Sequence, residues 1–268
     1  MLNDMTMGRY FPGKSLLHRS DPRTKILLTL LFIAITFIFR SYPALLLLLM
    51  IITGLAYRTG KPFQQSLRNL RLILYLAVVA VVANLLLVKG TPLIDYGLLR
   101  HVSREGVDIS AKMVLRLILL ASAASLLTFT TTPFALTDGL ETLLKPLNRI
   151  GFPVSEVALM TLIALRFMPI IVDEAKKLIL IQSSRSVDFN RGNLLERTRS
   201  YLPLFIPLFA GIARRGDAMA TAMEARCYRG SAGRTKLRPL EFSGADIASV
   251  AGMLLILSLM FGVEYISL

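Results

Sequence analysis

Ser41-Tyr42-Pro43-Ala44-Leu45-Leu46-Leu47-Leu48-Leu49-Met50-Ile51-Ile52-Thr53-Gly54-Leu55-Ala56-Tyr57 is a stretch of 17 residues without a charge. A helix rising 1.5 Å per residue needs about 17–25 apolar residues to cross the hydrocarbon of a bilayer. This stretch therefore reads as a transmembrane helix. Outward from it lie four comparable runs, Ile26–Phe39, Leu72–Val88, Leu117–Thr132 and Ile247–Val263. Thr24 and Lys25 extend the first, and Arg116 extends the fourth, because long cationic stems snorkel. Hydrophobic residues make up 54% of the 268, against about 45–50% in soluble proteins, and mean hydropathy is +0.61. The expected fold class is an all-α integral membrane protein with about five transmembrane helices. A tight Ile26–Tyr57 hairpin that does not fully cross is the alternative for the first two runs.

Polar flanks set the expected orientation. Met1–Lys25 is polar, holds two prolines and lacks a small-residue cleavage site behind an apolar core, so no cleavable leader is expected. Arg9, Lys14, Arg19, Arg23 and Lys25 precede the first run, and Arg58, Lys61, Arg68 and Arg71 follow the second with no acid among them. The positive-inside rule places both segments in the cytoplasm. Alternation then puts residues 89–116 outside, residues 134–240 inside and the C-terminus outside. Three parts follow: an N-terminal membrane domain of four spans (1–133), a cytoplasmic domain (134–240) and a C-terminal transmembrane helix (241–268).

The net charge of +14 raises nucleic acid as a partner. Much of the excess, however, flanks the spans, where anionic lipid explains it. No nucleic-acid partner is expected; the lipid bilayer is. A single cysteine, Cys227, cannot form an intrachain disulfide, and the two histidines, His18 and His101, form no metal cluster.

Residues 134–240 read as neither span nor linker. Asp138–Leu147 predicts a short amphipathic helix, stopped by Pro146 and the Gly151-Phe152-Pro153 break. Ser155 predicts the N-cap of a second helix, with Glu156 in its first turn. That helix carries Arg166, Asp173 and Lys177 on one face, flanked by Glu174 and Lys176, and Pro169 bends it. Arg166 and Asp173 are expected to pair. A third helix, from about Leu194 to Tyr228, is bent by Pro203 and Pro207. Its later half has Asp217, Thr221 and Glu224 as a polar stripe. Gly216-x-x-x-Ala220 and Ala218-x-x-x-Ala222 there permit close helix approach. Two long crossed helices are expected.

Ser184-Arg185-Ser186 and Ala225-Arg226-Cys227 end these two long helices, each just before a chain reversal. A guanidinium between small residues is open to a carboxylate, which its fork of donors binds better than a lysine does. The bland reading is an ordinary cation favoured by the helix C-terminal dipole. Spacing alone leaves both readings open. Gly8-Arg9-Tyr10-Phe11-Pro12-Gly13-Lys14-Ser15 matches the phosphate-cradling pattern G-x-x-x-x-G-K-[ST], but no buried strand precedes it and Pro12 removes a donor. ATP binding there is not expected. No nucleophile–base pair occurs, and charges within the spans are few, so neither catalysis nor a proton relay is indicated.

The chain resembles, over nearly its whole length, the T component, the transmembrane coupling subunit of energy-coupling factor (ECF) transporters. The likeness rests on Gly8–Ser15, on Leu17-His18-Arg19-Ser20-Asp21-Pro22-Arg23-Thr24-Lys25, on Arg185-Ser186-Val187-Asp188-Phe189 and on Ala222-Met223-Glu224-Ala225-Arg226-Cys227-Tyr228-Arg229-Gly230. The family typically reads Ala-Arg-Gly at both arginine motifs, so here the arginines match and the flanks do not. The resemblance implies a non-catalytic coupling subunit in a prokaryotic plasma membrane, with the N-terminus and coupling domain cytoplasmic. It implies two ABC-type ATPases as partners, docked at Ser184, Arg185, Ser186, Ala225, Arg226 and Cys227. Gly216, Ala218, Ala220 and Ala222 would serve coupling-helix packing. ATP and Mg would sit on the partner ATPases, with no cofactor or metal in this chain. A small substrate-binding membrane subunit (S component) would carry the vitamin or other micronutrient. The opening resembles the shared type of T component, with a dedicated cobalt, nickel or biotin module as the alternative. A self-sufficient secondary transporter would need internal repeats and midplane ionisable residues, and an intramembrane enzyme would need a catalytic pair in the spans; neither is apparent.

Overall fold

The structure is a computed structural model that describes residues 20–39, 41–58, 75, 77–85, 103–185, 194–230 and 242–267. The Gly8–Ser15 motif, residues 59–71 and 89–102, both histidines, Ser186 and the Val187-Asp188-Phe189 stretch lie outside the described residues. Among the described residues every regular element is a helix: α1 (Pro22–Ile38), α2 (Tyr42–Arg58), α3 (Arg104–Thr130), α4 (Pro133–Leu144), a 3₁₀ segment (Lys145–Ile150), α5 (Val154–Ser184), α6 (Leu194–Ala225) and α7 (Gly244–Ser267). Residues 77–85, within the expected third span, are helical as well. The protein is an all-α membrane protein. Two compact units divide it, one holding α1, α2, α3 and α7, the other the 3₁₀ segment, α5 and α6.

In the first unit, Asp21 starts α1. Its carboxylate accepts from the Arg23 N–H at 2.8 Å, and Pro22 occupies the first turn, where a missing N–H costs nothing. The Asp246 carboxylate accepts from the Asp21 N–H at 2.7 Å and from the Ser243 N–H at 2.7 Å. One buried side chain therefore ties the starts of α1 and α7. Their far ends meet through Phe39 and Phe261, edge to face at 5.4 Å, so the two helices run parallel.

Lys25 Nζ donates to the Thr130 carbonyl at 3.1 Å, and Arg116 donates to the Phe39 carbonyl at 3.1 Å. The start of α1 thus meets the end of α3 and its end meets the middle of α3, so α3 runs antiparallel to α1. Both cations correct the snorkelling expectation. Lys25 is buried, and each side chain turns inward to a carbonyl at a helix end, where the backbone has no partner of its own. Tyr42 donates to the Asp108 carboxylate at 2.5 Å, which places the starts of α2 and α3 together. The directions of α1, α2, α3 and α7 are those that the expected span order requires.

Phe32, Ile35, Phe39, Leu45, Leu48, Ile52, Leu119, Met253 and Met260 form the core, with Ala44 and Ala123 letting backbones approach. Gly139 of α4 serves the same end against α1: a Cβ there would lie 3.1 Å from Pro22 Cβ and 3.1 Å from Ile26 Cδ1. Leu30, Ile38, Met50, Leu254 and Leu255 stay exposed, an outward apolar surface suited to hydrocarbon.

By length and composition three helices can cross a membrane: Arg104–Thr130, Val154–Ser184 and Gly244–Tyr265, with Tyr42–Tyr57 shorter. The second of these, α5, is not among the spans expected from uncharged runs. Arg166, Asp173, Glu174, Lys176 and Lys177 interrupt its sequence, yet long apolar stretches flank them.

Candidate functional site: two arginine-tipped helices

In the second unit the break before α5 is built differently from expectation. Gly151 adopts φ +87°, a left-handed conformation that glycine reaches without strain. The cap residue is Pro153, not Ser155. Because proline offers no capping side chain, Asn148 reaches across the turn and its Oδ1 accepts from the Val154 N–H at 3.0 Å. Glu156 sits in the first turn as expected. The short helix before it also differs: α4 starts at Pro133 and tightens into the 3₁₀ segment at Lys145, as Pro146 dictates.

α5 and α6 cross where Glu174 forms an ion pair with Arg215. Gly211, one turn before Arg215, is buried, and a Cβ on it would stand 3.2 Å from Glu174 Oε1. Gly211 therefore leaves the space that the Glu174 carboxylate occupies. Gly216, Ala218, Ala220 and Ala222 are instead exposed, and a Cβ at Gly216 would meet nothing within 4 Å. Asp173 pairs with Lys176 at 3.8 Å rather than with Arg166, which is exposed; two helical turns separate Arg166 from Asp173, too far for a direct contact. Sequence reading missed Arg215 altogether. The signal was present, since Gly211 and Arg215 are spaced i, i+4 and so share a face.

The α5 tip is closed by its own serines. Ser183 and Ser184 hydroxyls both donate to the Leu180 carbonyl, at 2.8 Å and 3.0 Å. Arg185 is the C-cap, its N–H donating to the Gln182 carbonyl at 3.1 Å. The α6 tip is a double-bonded cap. The Cys227 N–H donates to Glu224 at 2.9 Å and the Tyr228 N–H to Met223 at 3.0 Å, with Cys227 at φ +57°. That pattern places Cys227 at the position where helices most often carry glycine. A glycine at 227 would take this backbone without strain.

Arg185 and Arg226 are both exposed. Each caps a helix through its backbone N–H, and among the described residues neither guanidinium forms an ion pair, so each donor fork is open to a carboxylate. Ser184, Ala225 and Cys227 beside them are exposed too and give a small, open collar.

A family profile described as "Cobalt transport protein" (CbiQ) matches residues 13–237. The chain is 45% identical to the energy-coupling factor transporter transmembrane protein EcfT of Ruminiclostridium cellulolyticum, covering 99% of each chain. It is 41% identical to the protein of that name from Thermosediminibacter oceani, over 97% of this chain and 98% of the relative. With the Bacillus subtilis protein of that name it shares 36% identity over the same shares, 97% and 98%.

Proposed function

Since the chain belongs to the family of energy-coupling factor transporter transmembrane proteins, we propose that it is the coupling subunit of an ATP-driven importer, without catalytic chemistry of its own. In this reading two cytoplasmic ABC-type ATPases, which hold ATP and Mg, each receive one arginine tip. Closing of the ATPases moves α5 and α6, and the motion passes to a separate S component that binds a vitamin or other micronutrient. The observation that carries the reading is the pair of exposed guanidiniums, Arg185 and Arg226, at the ends of two helices that cross each other.

Basic flanks of the first two spans support a cytoplasmic N-terminus and a plasma-membrane setting. The apolar surface of α5 and of the first half of α6, where Phe205, Ile206 and Phe209 are exposed, suits contact with lipid or with an S component. A dedicated cobalt-type module is the second reading, favoured by the description of the family profile. The relatives named above favour the general energy-coupling type.

Co-purification tests the proposal. Tagged chain expressed in its own cells should bring down two ABC-type ATPases and a small substrate-binding membrane protein. Substrate uptake by this chain alone in proteoliposomes would reject the coupling role.

A further inference from the structure

We propose that Glu174 and Arg215, seated over Gly211, form a pivot that fixes the crossing point of α5 and α6 and so sets the spacing of the Arg185 and Arg226 tips. The inference rests on the coupling reading above and assigns to that machinery two positioning residues. Glu174 meets α6 with both carboxylate oxygens, one lying over the Gly211 backbone and the other on the Arg215 guanidinium. A Cβ at 211 would crowd Glu174 Oε1 at 3.2 Å and a large side chain would displace the carboxylate, and a change of register would carry Arg215 off it.

The arms beyond this pivot are matched. Arg185 lies eleven residues after Glu174, and Arg226 lies eleven residues after Arg215. At 1.5 Å per residue each arm is roughly 16 Å long. All three prolines inside the two helices, Pro169, Pro203 and Pro207, precede the pivot. Bending at a proline is therefore confined to the segments before the crossing, and both arms are uninterrupted helix. Equal, stiff arms hinged at one point transmit a change in crossing angle equally to both tips. The pair is partly exposed, at 39% and 29%, and such pairs contribute little to stability. Its effect is on geometry rather than on folding.

The test uses full-length protein in lipid nanodiscs. Spin labels are placed on Ser184→Cys and on the native Cys227, which is exposed, and their separation is measured by pulsed dipolar spectroscopy. With the pivot intact, one narrow distance distribution is expected. Glu174→Ala and Arg215→Ala should each lose the narrow distribution, and the reversed pair Glu174→Arg/Arg215→Glu should restore it. Gly211→Leu should move the distribution to a new mean. Helicity by circular dichroism, unchanged across the set, separates these effects from misfolding. A narrow distribution that survives Glu174→Ala, or a reversed pair no better than the single variants, overturns the pivot. Because no ATPase is present, that outcome leaves docking untouched; loss of ATPase co-purification in Arg185→Ala is read separately.

Discussion

Asp246 accepts the backbone N–H of Asp21 at 2.7 Å, so a carboxylate in the last helix completes the N-terminus of the first. With the Ser243 N–H it satisfies two helix starts at once. Asp246 is 2% exposed, which leaves water no route to replace it. Asp246→Ala strands the buried Asp21 N–H, at about 1–3 kcal/mol, and leaves the exposed Ser243 N–H to water. The expected result is a marked drop in the melting temperature of the detergent-solubilised protein, with Asp246→Asn intermediate because one acceptor remains.

Lys25 stands close by, its ammonium on the Thr130 carbonyl. Hydrogen bonds to charged groups contribute about 1.5–3 kcal/mol, and Lys25→Met keeps the stem while removing the donor. A stability loss of that order is expected in the same melting assay. Unchanged melting would show that this lysine packs through its stem alone.

Removing either tip cation should weaken ATPase docking. The loss of one partner from a desolvated charged pair costs about 2–5 kcal/mol. Arg185→Ala and Arg226→Ala are each expected to reduce ATPase co-purification, and the double variant to abolish substrate uptake while still inserting in the membrane. Lysine at either position should rescue only in part, since it lacks the fork. Normal uptake by both single variants would exclude these tips as anchors.

Cys227 holds a left-handed backbone, φ +57°, that costs a residue with a Cβ about 1–2 kcal/mol. Cys227→Gly removes that cost and recreates the Ala-Arg-Gly pattern. Slower amide exchange in the last turn of α6, measured by mass spectrometry, is the expected outcome. Cys227→Val should accelerate exchange there, because β-branching makes positive φ worse.

Gly139 offers a packing test. A Cβ there would lie 3.1 Å from Pro22 Cβ and from Ile26 Cδ1, and filling a packed contact costs about 1–3 kcal/mol. Gly139→Leu should lower the melting temperature, whereas Gly54→Leu, where a Cβ meets nothing within 4 Å, should not.

What could be read along the chain depended on neighbours a few residues apart. Uncharged runs such as Ser41–Tyr57 announced membrane helices, and Gly151, Pro153 and Gly230 marked where the long helices break. Arg185 and Arg226 could be placed near helix ends in the same way, while spacing left open whether they dock a partner. Apolar length, proline and glycine act through the local backbone, so one sequence suffices to see them. Only the tertiary structure decided that Lys25 and Arg116 turn inward to distant carbonyls and that Glu174 meets Arg215 over Gly211. A cation or carboxylate at a helix contact takes whichever partner packing brings within about 3 Å. That partner comes from segments far along the chain, and no local pattern names it.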